Sequence, residues 1–240
     1  MTSAVTQCSR ARPSTRKESF VKVRLPLLFA PLLLLAASAV FADPVTYNID
    51  PAHSLVGFNV RHFFSRTPGR FKEFTGTIQY DEKNLAASSV NVTIQAASIN
   101  TENERRDGDL KSANFFAVDS FPTLTFKSTK IVPGASNAFQ ILGDLTMRGV
   151  TKPVTLDASL MGVGDVSMGG RGTRRMAGFE AKTTVNRKDF GIIWNRTLDQ
   201  GGTMLGDDVA ITLQIEADAM RAAPPAGDKP ADKPATPDKK

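Results

Sequence analysis

The sequence predicts an all-β protein, about eight antiparallel strands in meander order, most simply closed into an eight-stranded barrel with one short helix alongside. Three observations carry this. Between Val45 and Ala219 apolar and polar residues alternate with period two almost everywhere, as half-buried strands require. Turn signals separate the runs: "DEKN", "VPGASN", "RGVTKP" and the glycine-rich "GVGDVSMGGRG". One stretch alone breaks the period.

The strands follow in chain order. Val56, Phe58 and Val60 share one face of the first. Phe74, Gly76, Ile78 and Tyr80 share a face of the next, with Glu73, Thr75, Thr77 and Gln79 opposite. Val90, Val92 and Ile94 follow, then Leu124 and Phe126, then Phe139, Ile141, Leu145 and Met147. Val154 to Leu160, Phe179 to Val185, and Val209 to Ile215 complete the set. The break, "TENERRDGDLKSANFF", is rich in helix formers and predicts a helix over about Glu102 to Ala113, capped by Thr101 and weakened by Gly108. Closing long strands with one apolar face into a barrel removes exposed edges, and eight strands leave room for one small ligand. A two-sheet sandwich with a solid core is the alternative.

The ends set the domain organisation. Residues 1–42 hold a basic stretch ending at Arg24, the apolar run "LPLLFAPLLLLAASAVFA" and small residues after it, the order of a secretory signal peptide. Cleavage is expected before Asp43, or after Ala39, and the destination is the periplasm. The run is interrupted by Pro26 and Pro31 and falls short of the ~20 residues of a stable transmembrane anchor. Residues 43–220 form the folded domain. Residues 221–240, built mainly of Pro, Ala, Lys and Asp, have no large apolar residue and read as a disordered tail.

Charge and cysteine then exclude whole classes. The net charge of +6 belongs to the ends: residues 1–42 hold six basic and one acidic residue, and residues 221–240 hold five and three. That leaves 19 basic and 20 acidic residues in 43–220, a net of −1. A nucleic-acid partner calls for basic excess on the folded domain, so none is expected. Cys8, the sole cysteine, lies in the leader, so the mature chain has neither a disulfide nor thiolate chemistry.

Both histidines lie in "HSLVGFNVRH". Nine residues apart on one regular strand, His53 and His62 face opposite sides and lie ~30 Å apart, so they cannot share a metal ion. Zinc wants three or four ligands, and only scattered acids remain; no metal and no cofactor are expected. There is no G-x-S-x-G elbow and no evident Ser–His–Asp setting, so no catalytic residue is assigned. "GVGDVSMGGRG" lacks the following helix of a phosphate loop and reads as a flexible hairpin loop.

Parity gives the binding reading. Val56, Phe58, Val60, Phe74, Ile78 and Ile94 point inward, as do Phe126 and Leu145. Phe116, Phe190 and Trp194 join them from irregular segments, together with Phe63, Phe64, Phe71 and Phe115 around one end. His62 and Arg187 also point inward, at strand ends, as a polar mouth on an apolar tunnel. They would offer an anionic head a switchable and a permanent charge. The competing role for Arg187 is a structural ion pair with Asp189, Asp199, Asp207 or Asp208. The function expected is binding of an amphiphilic lipid, as a monomer or homodimer. The alternatives are a lipid-modifying enzyme using His62 and a stress or interaction protein with no ligand.

Five blocks in order carry a family resemblance: "YNIDPAHSLVGFNVRHFF", "GRFKEFTGTI", "RRDGDLKSANFF…FPTLTFKS", "GDLTMRGVTKPVTL" and "VNRKDFGI…LGDDVAITLQIEA". Together, over Val45 to Ala217, they resemble the YceI-like family of periplasmic polyisoprenoid-binding proteins. The resemblance implies a lipocalin-like barrel, an interior tunnel for a long isoprenoid or fatty-acyl chain, and no established catalytic activity. One position departs. The family commonly has histidine two residues after the Arg-Asp of the helix block, where this chain has Asp109.

Overall fold

Alternating side chains generate eleven strand segments in the computed structural model, which describes residues 44–199 and 201–220. The expected leader and tail lie outside the described residues. The segments are β1 (Val45–Ile49), β2 (Leu55–His62), β3 (Ser65–Phe71), β4 (Phe74–Tyr80), β5 (Ser89–Gln95) and β6 (Ile99–Asn100). After the helix α1 (Glu104–Lys111) come β7 (Thr123–Pro133), β8 (Ala138–Met147), β9 (Val150–Ser167), β10 (Thr173–Asn186) and β11 (Leu205–Ala219).

Pairing reduces the eleven to eight. β1 pairs with the C-terminal end of β11 (Tyr47 opposite Ala219) and β2 with the rest of it (Phe58 opposite Ile211), so β1 and β2 are one long strand interrupted at 50–54. β4 pairs with β1 and β3 with β2; β5 pairs with β4 and β6 with β3. The remaining strands follow as an antiparallel meander, and β11 meets β1 to close the ring. The result is an eight-stranded antiparallel barrel, and that closing pair disposes of the sandwich.

Local chemistry accounts for the joints. Arg148 and Gly149 both have positive φ (52° and 72°) between β8 and β9, the backbone of a two-residue turn matched to strand twist. Pro68 is accommodated within β3 opposite Asn59 because its missing N–H faces the outer edge, which β6 covers only at Arg70 and Phe71. A bulge between Ser128 and Lys130 switches β7 from even to odd inward parity, so Ile131 joins Leu124 and Phe126 in the interior.

Two expectations are corrected. The helix runs over Glu104–Lys111 and its cap is Asn103, whose side chain accepts from the Arg106 N–H; Thr101 is instead buried and bonded to Asp107. The glycine-rich segment is not all loop, because β9 continues to Ser167 and only the turn beyond it is irregular.

Candidate functional site

Inward residues of the eight strands enclose a cavity of about 580 Å³, inside the range of roughly 300–1,000 Å³ of small-molecule sites. Val56, Phe58, Val60, Phe74, Ile78 and Ile94 line it, as do Phe126 and Leu145. Phe116 and Trp194 line it from above, from the segment after α1 and the loop before β11. Phe190 is corrected: it is 2 % exposed and packed into the core cluster, without reaching the cavity. Phe71 belongs to β3 and lines the wall, whereas Phe63 and Phe64 sit exposed at the β2–β3 turn.

Aromatic contacts differentiate the two ends. At the end carrying the β7–β8 turn, Tyr80 of β4 meets Phe179 of β10 at 5.6 Å between ring centroids, and Phe179 meets Phe139 at 6.5 Å. β4 and β10 are not neighbours in the sheet, so these edge-on rings cross the lumen and form a floor. At the other end Phe116 packs on Phe71 at 5.7 Å and Phe115 on Trp194 at 5.3 Å. After α1 the chain doubles back, with Phe116 N–H bonded to Leu110 and Val118 N–H to Lys111, which turns this pair over the lumen. Arg148 ties the covering segments together, donating to the carbonyls of Ala113 and Gly191. In the wall, Phe58 lies across its cross-strand partner Gly69, where a Cβ would come within 2.2 Å of the ring.

The polar rim is built differently from the expectation. His62 does line the cavity, its ring edge-on to Phe63 at 4.5 Å. Arg187, only 4 % exposed, reaches the cavity lining but spends its donors on protein. Its Nε donates to Gly206 O, its Nη1 to Ile192 O and Trp194 O, and its Nη2 to Asp207 at 3.0 Å. Burial pulls its pKa down and Asp207 opposes that, but a guanidinium stays charged. Asp207 is held below the usual carboxylate range, first by its bond from Lys188. Of the four candidate acids, Asp207 is therefore the partner.

The remaining rim comes from the helix segment, where parity gave no guidance. Thr101, Arg106, Asp109, Ser112 and Asn114 all line the cavity. Arg106 is spent locally: its Nε donates to Thr101 Oγ1 and its Nη2 to Thr101 O, both at 2.7 Å, while Asp107 accepts from the Thr101 N–H. The only hint in the sequence was the broken period itself.

His53 lies in the β1–β2 corner, not on a strand. Its Nδ1 is 2.7 Å from Asp50 and 3.8 Å from Glu216, and one ligand atom from each of the three residues falls within 4.8 Å of the others. The acids near His53 are thus gathered rather than scattered, because the corner folds Asp50 back and β11 brings Glu216 alongside. The hydrogen bond to Asp50 raises the His53 pKa and lowers that of Asp50.

The YceI-like domain model matches residues 47–217. This chain belongs to the YceI-like domain family. It is 45% identical over 174 residues to Protein YceI of Shigella flexneri, covering 71% of this chain and 87% of that one. With Protein YceI of Salmonella agona it shares 46% over 195 residues, 80% and 95% of the two chains. Among solved structures, the Campylobacter jejuni YCEI protein is 30% identical, with a TM-score of 0.56 over 66% of this chain and 88% of that one. A polyisoprenoid binding domain from Saccharophagus degradans, implicated in plant cell wall breakdown, has a TM-score of 0.51 at 13% identity, covering 73% and 99%; that likeness concerns fold alone. Asp109, where the resemblance implies a histidine, lines the cavity on the polar side.

Proposed function

We propose that this YceI-like protein is an exported, periplasmic carrier that holds a long-chain isoprenoid or similar amphiphile in its barrel, without catalysing a reaction. The observation that carries this is the cavity: a continuous apolar lumen walled by alternate residues of every strand, with polar residues confined mainly to one end. Leaving such a lumen unfilled forfeits dispersion contacts, so an apolar occupant is favoured. The export signal in residues 1–42 supports the location, and the family's resemblance to polyisoprenoid binders supports the ligand class. Among the described residues the His62 side chain makes no hydrogen bond, and its ring packs edge-on to Phe63, which disfavours the enzyme alternative.

The rim argues for an uncharged polar end group. Arg187 and most of Arg106 are committed to protein acceptors, and Asp109 places a carboxylate where an anionic head would lie. Thr101, Ser112 and Asn114 offer hydroxyl and amide partners instead.

Trp194 is the single tryptophan and lines the cavity, so its fluorescence reports occupancy directly. Titrating lipid-stripped protein with a long-chain prenyl alcohol should shift the emission to saturation, and a prenyl phosphate should bind more weakly. Phe58→Asp should cut affinity at least tenfold, since a carboxylate in an apolar lumen has no partner. An unchanged titration in folded Phe58→Asp would remove the cavity from the account.

A further inference from the structure

The β2–β3 hairpin and the loop before β11 push apolar side chains outward next to the cavity's covered end. Phe64 is completely exposed (102 %), Ile193 is 70 % exposed, and Phe63 is at the margin of exposure. None is left outside by a loose backbone. The Phe63 N–H is bonded to Met204 O at 2.8 Å, which fixes the hairpin tip with Phe64 beyond it. Arg187 Nη1 holds the carbonyls of Ile192 and Trp194 together, turning those two side chains toward the interior and Ile193 away.

Basic residues flank this tip. Arg61 and Arg66 face one another across the hairpin, and Arg196 sits on the adjoining loop, where its carbonyl accepts from Met204. All three are exposed, and among the described residues none makes an ion pair. Like charges directly opposed on a hairpin are unfavourable in isolation, and an anionic surface relieves them. Of the nearby acids, Asp207 is already engaged by Arg187 and Lys188, which leaves Asp189, Asp199 and Asp208 as counter-charges against the three arginines.

We propose that this tip docks on the surface of an anionic lipid bilayer, with Phe64 and Ile193 entering the interface and Arg66 and Arg196 meeting phospholipid headgroups, while Arg61 adds charge from where it holds the carbonyls of Phe63 and Thr203. Aromatic and aliphatic tips flanked by arginine suit that boundary. A second copy of the chain fits poorly, because docking tip to tip would bring the arginines together. The surface adjoins the rim residue His62, so a chain could pass between bilayer and lumen with little contact with water; this meaning of the surface rests on the carrier reading above.

The test is co-sedimentation of the purified protein with phosphatidylcholine vesicles made with or without phosphatidylglycerol. Binding should require phosphatidylglycerol, weaken with added salt, and fall roughly tenfold in Phe64→Ser. Arg66→Gln should weaken it several-fold. Phe64 touches nothing whose loss would unfold the barrel, and prenyl alcohol titrations by Trp194 should be the same in both variants as in wild type. If vesicle binding depends on Phe64 while the cavity takes up no lipid, the docking surface stands and the carrier reading falls. Equal partitioning of wild type and Phe64→Ser, or self-association lost in Phe64→Ser with no vesicle binding, would overturn the proposal.

Discussion

Arg187 and His62 share inward parity, yet they part in three dimensions because a guanidinium at a strand end finds two carbonyls in the loop it helps to fold and a third on β11. Parity reported which way each side chain leaves its strand; it could not report that residues 192, 194 and 206 would converge on one of them. Replacing Arg187 by Gln should strand those carbonyls and Asp207, at a cost of about 3 kcal/mol. Calorimetry should record a lower melting temperature, with lipid affinity falling only as far as the folded fraction does. A variant that melts like wild type but binds lipid poorly would return Arg187 to the headgroup. His53 gives a second residue-scale prediction. Its pKa is raised by Asp50, so the pair's contribution to stability is complete below the unfolded-state value near 6.5 and fades as pH rises through the folded value. The lowered Asp50 contributes above its ordinary value and loses that contribution as pH falls through the folded one. NMR should find His53 titrating above the ordinary value in wild type and returning toward it in Asp50→Asn; coincident curves would refute the pairing.

Among the elements, legibility followed the side chains available to alternate. The strands rich in Val, Ile and Phe were readable with their inward faces, since burial of one face fixes period two. β3 was not, because "SRTPGRF" carries arginines, Pro68 and Gly69, and its inward surface is completed by the Phe58 ring from the neighbouring strand. Ile131 was hidden by the bulge that resets parity in β7. The helix was readable from its composition, whereas its cap depended on whether Thr101 or Asn103 reached the free N–H groups, and Thr101 was engaged elsewhere. Gly108 lies in α1 with nothing within 4 Å of where a Cβ would stand. Gly108→Ala should therefore stabilise the protein by about 0.5–1 kcal/mol, seen as a higher urea midpoint. A lower midpoint would mean that α1 needs glycine there.

At the largest scale, the described residues of the barrel form a closed ring of strands whose mainly apolar interior is too large to be filled by its own side chains. Closure was legible as the simplest way to remove two sheet edges. The position of the polar rim was not, because it depends on how the segment after α1 and the loop before β11 fold over one end while aromatic rings cross the other. The family relationship fixes the architecture, and the occupant of the lumen is the central claim of the carrier reading. It is tested most directly by purifying the protein from its native compartment under mild conditions, extracting it with organic solvent, and identifying the extract by mass spectrometry. The account predicts a long-chain isoprenoid or similar amphiphile with an uncharged polar end, recovered in near-stoichiometric amount and absent from Phe58→Asp. An extract holding no lipid, or the same lipid in equal amount from folded Phe58→Asp, would contradict it.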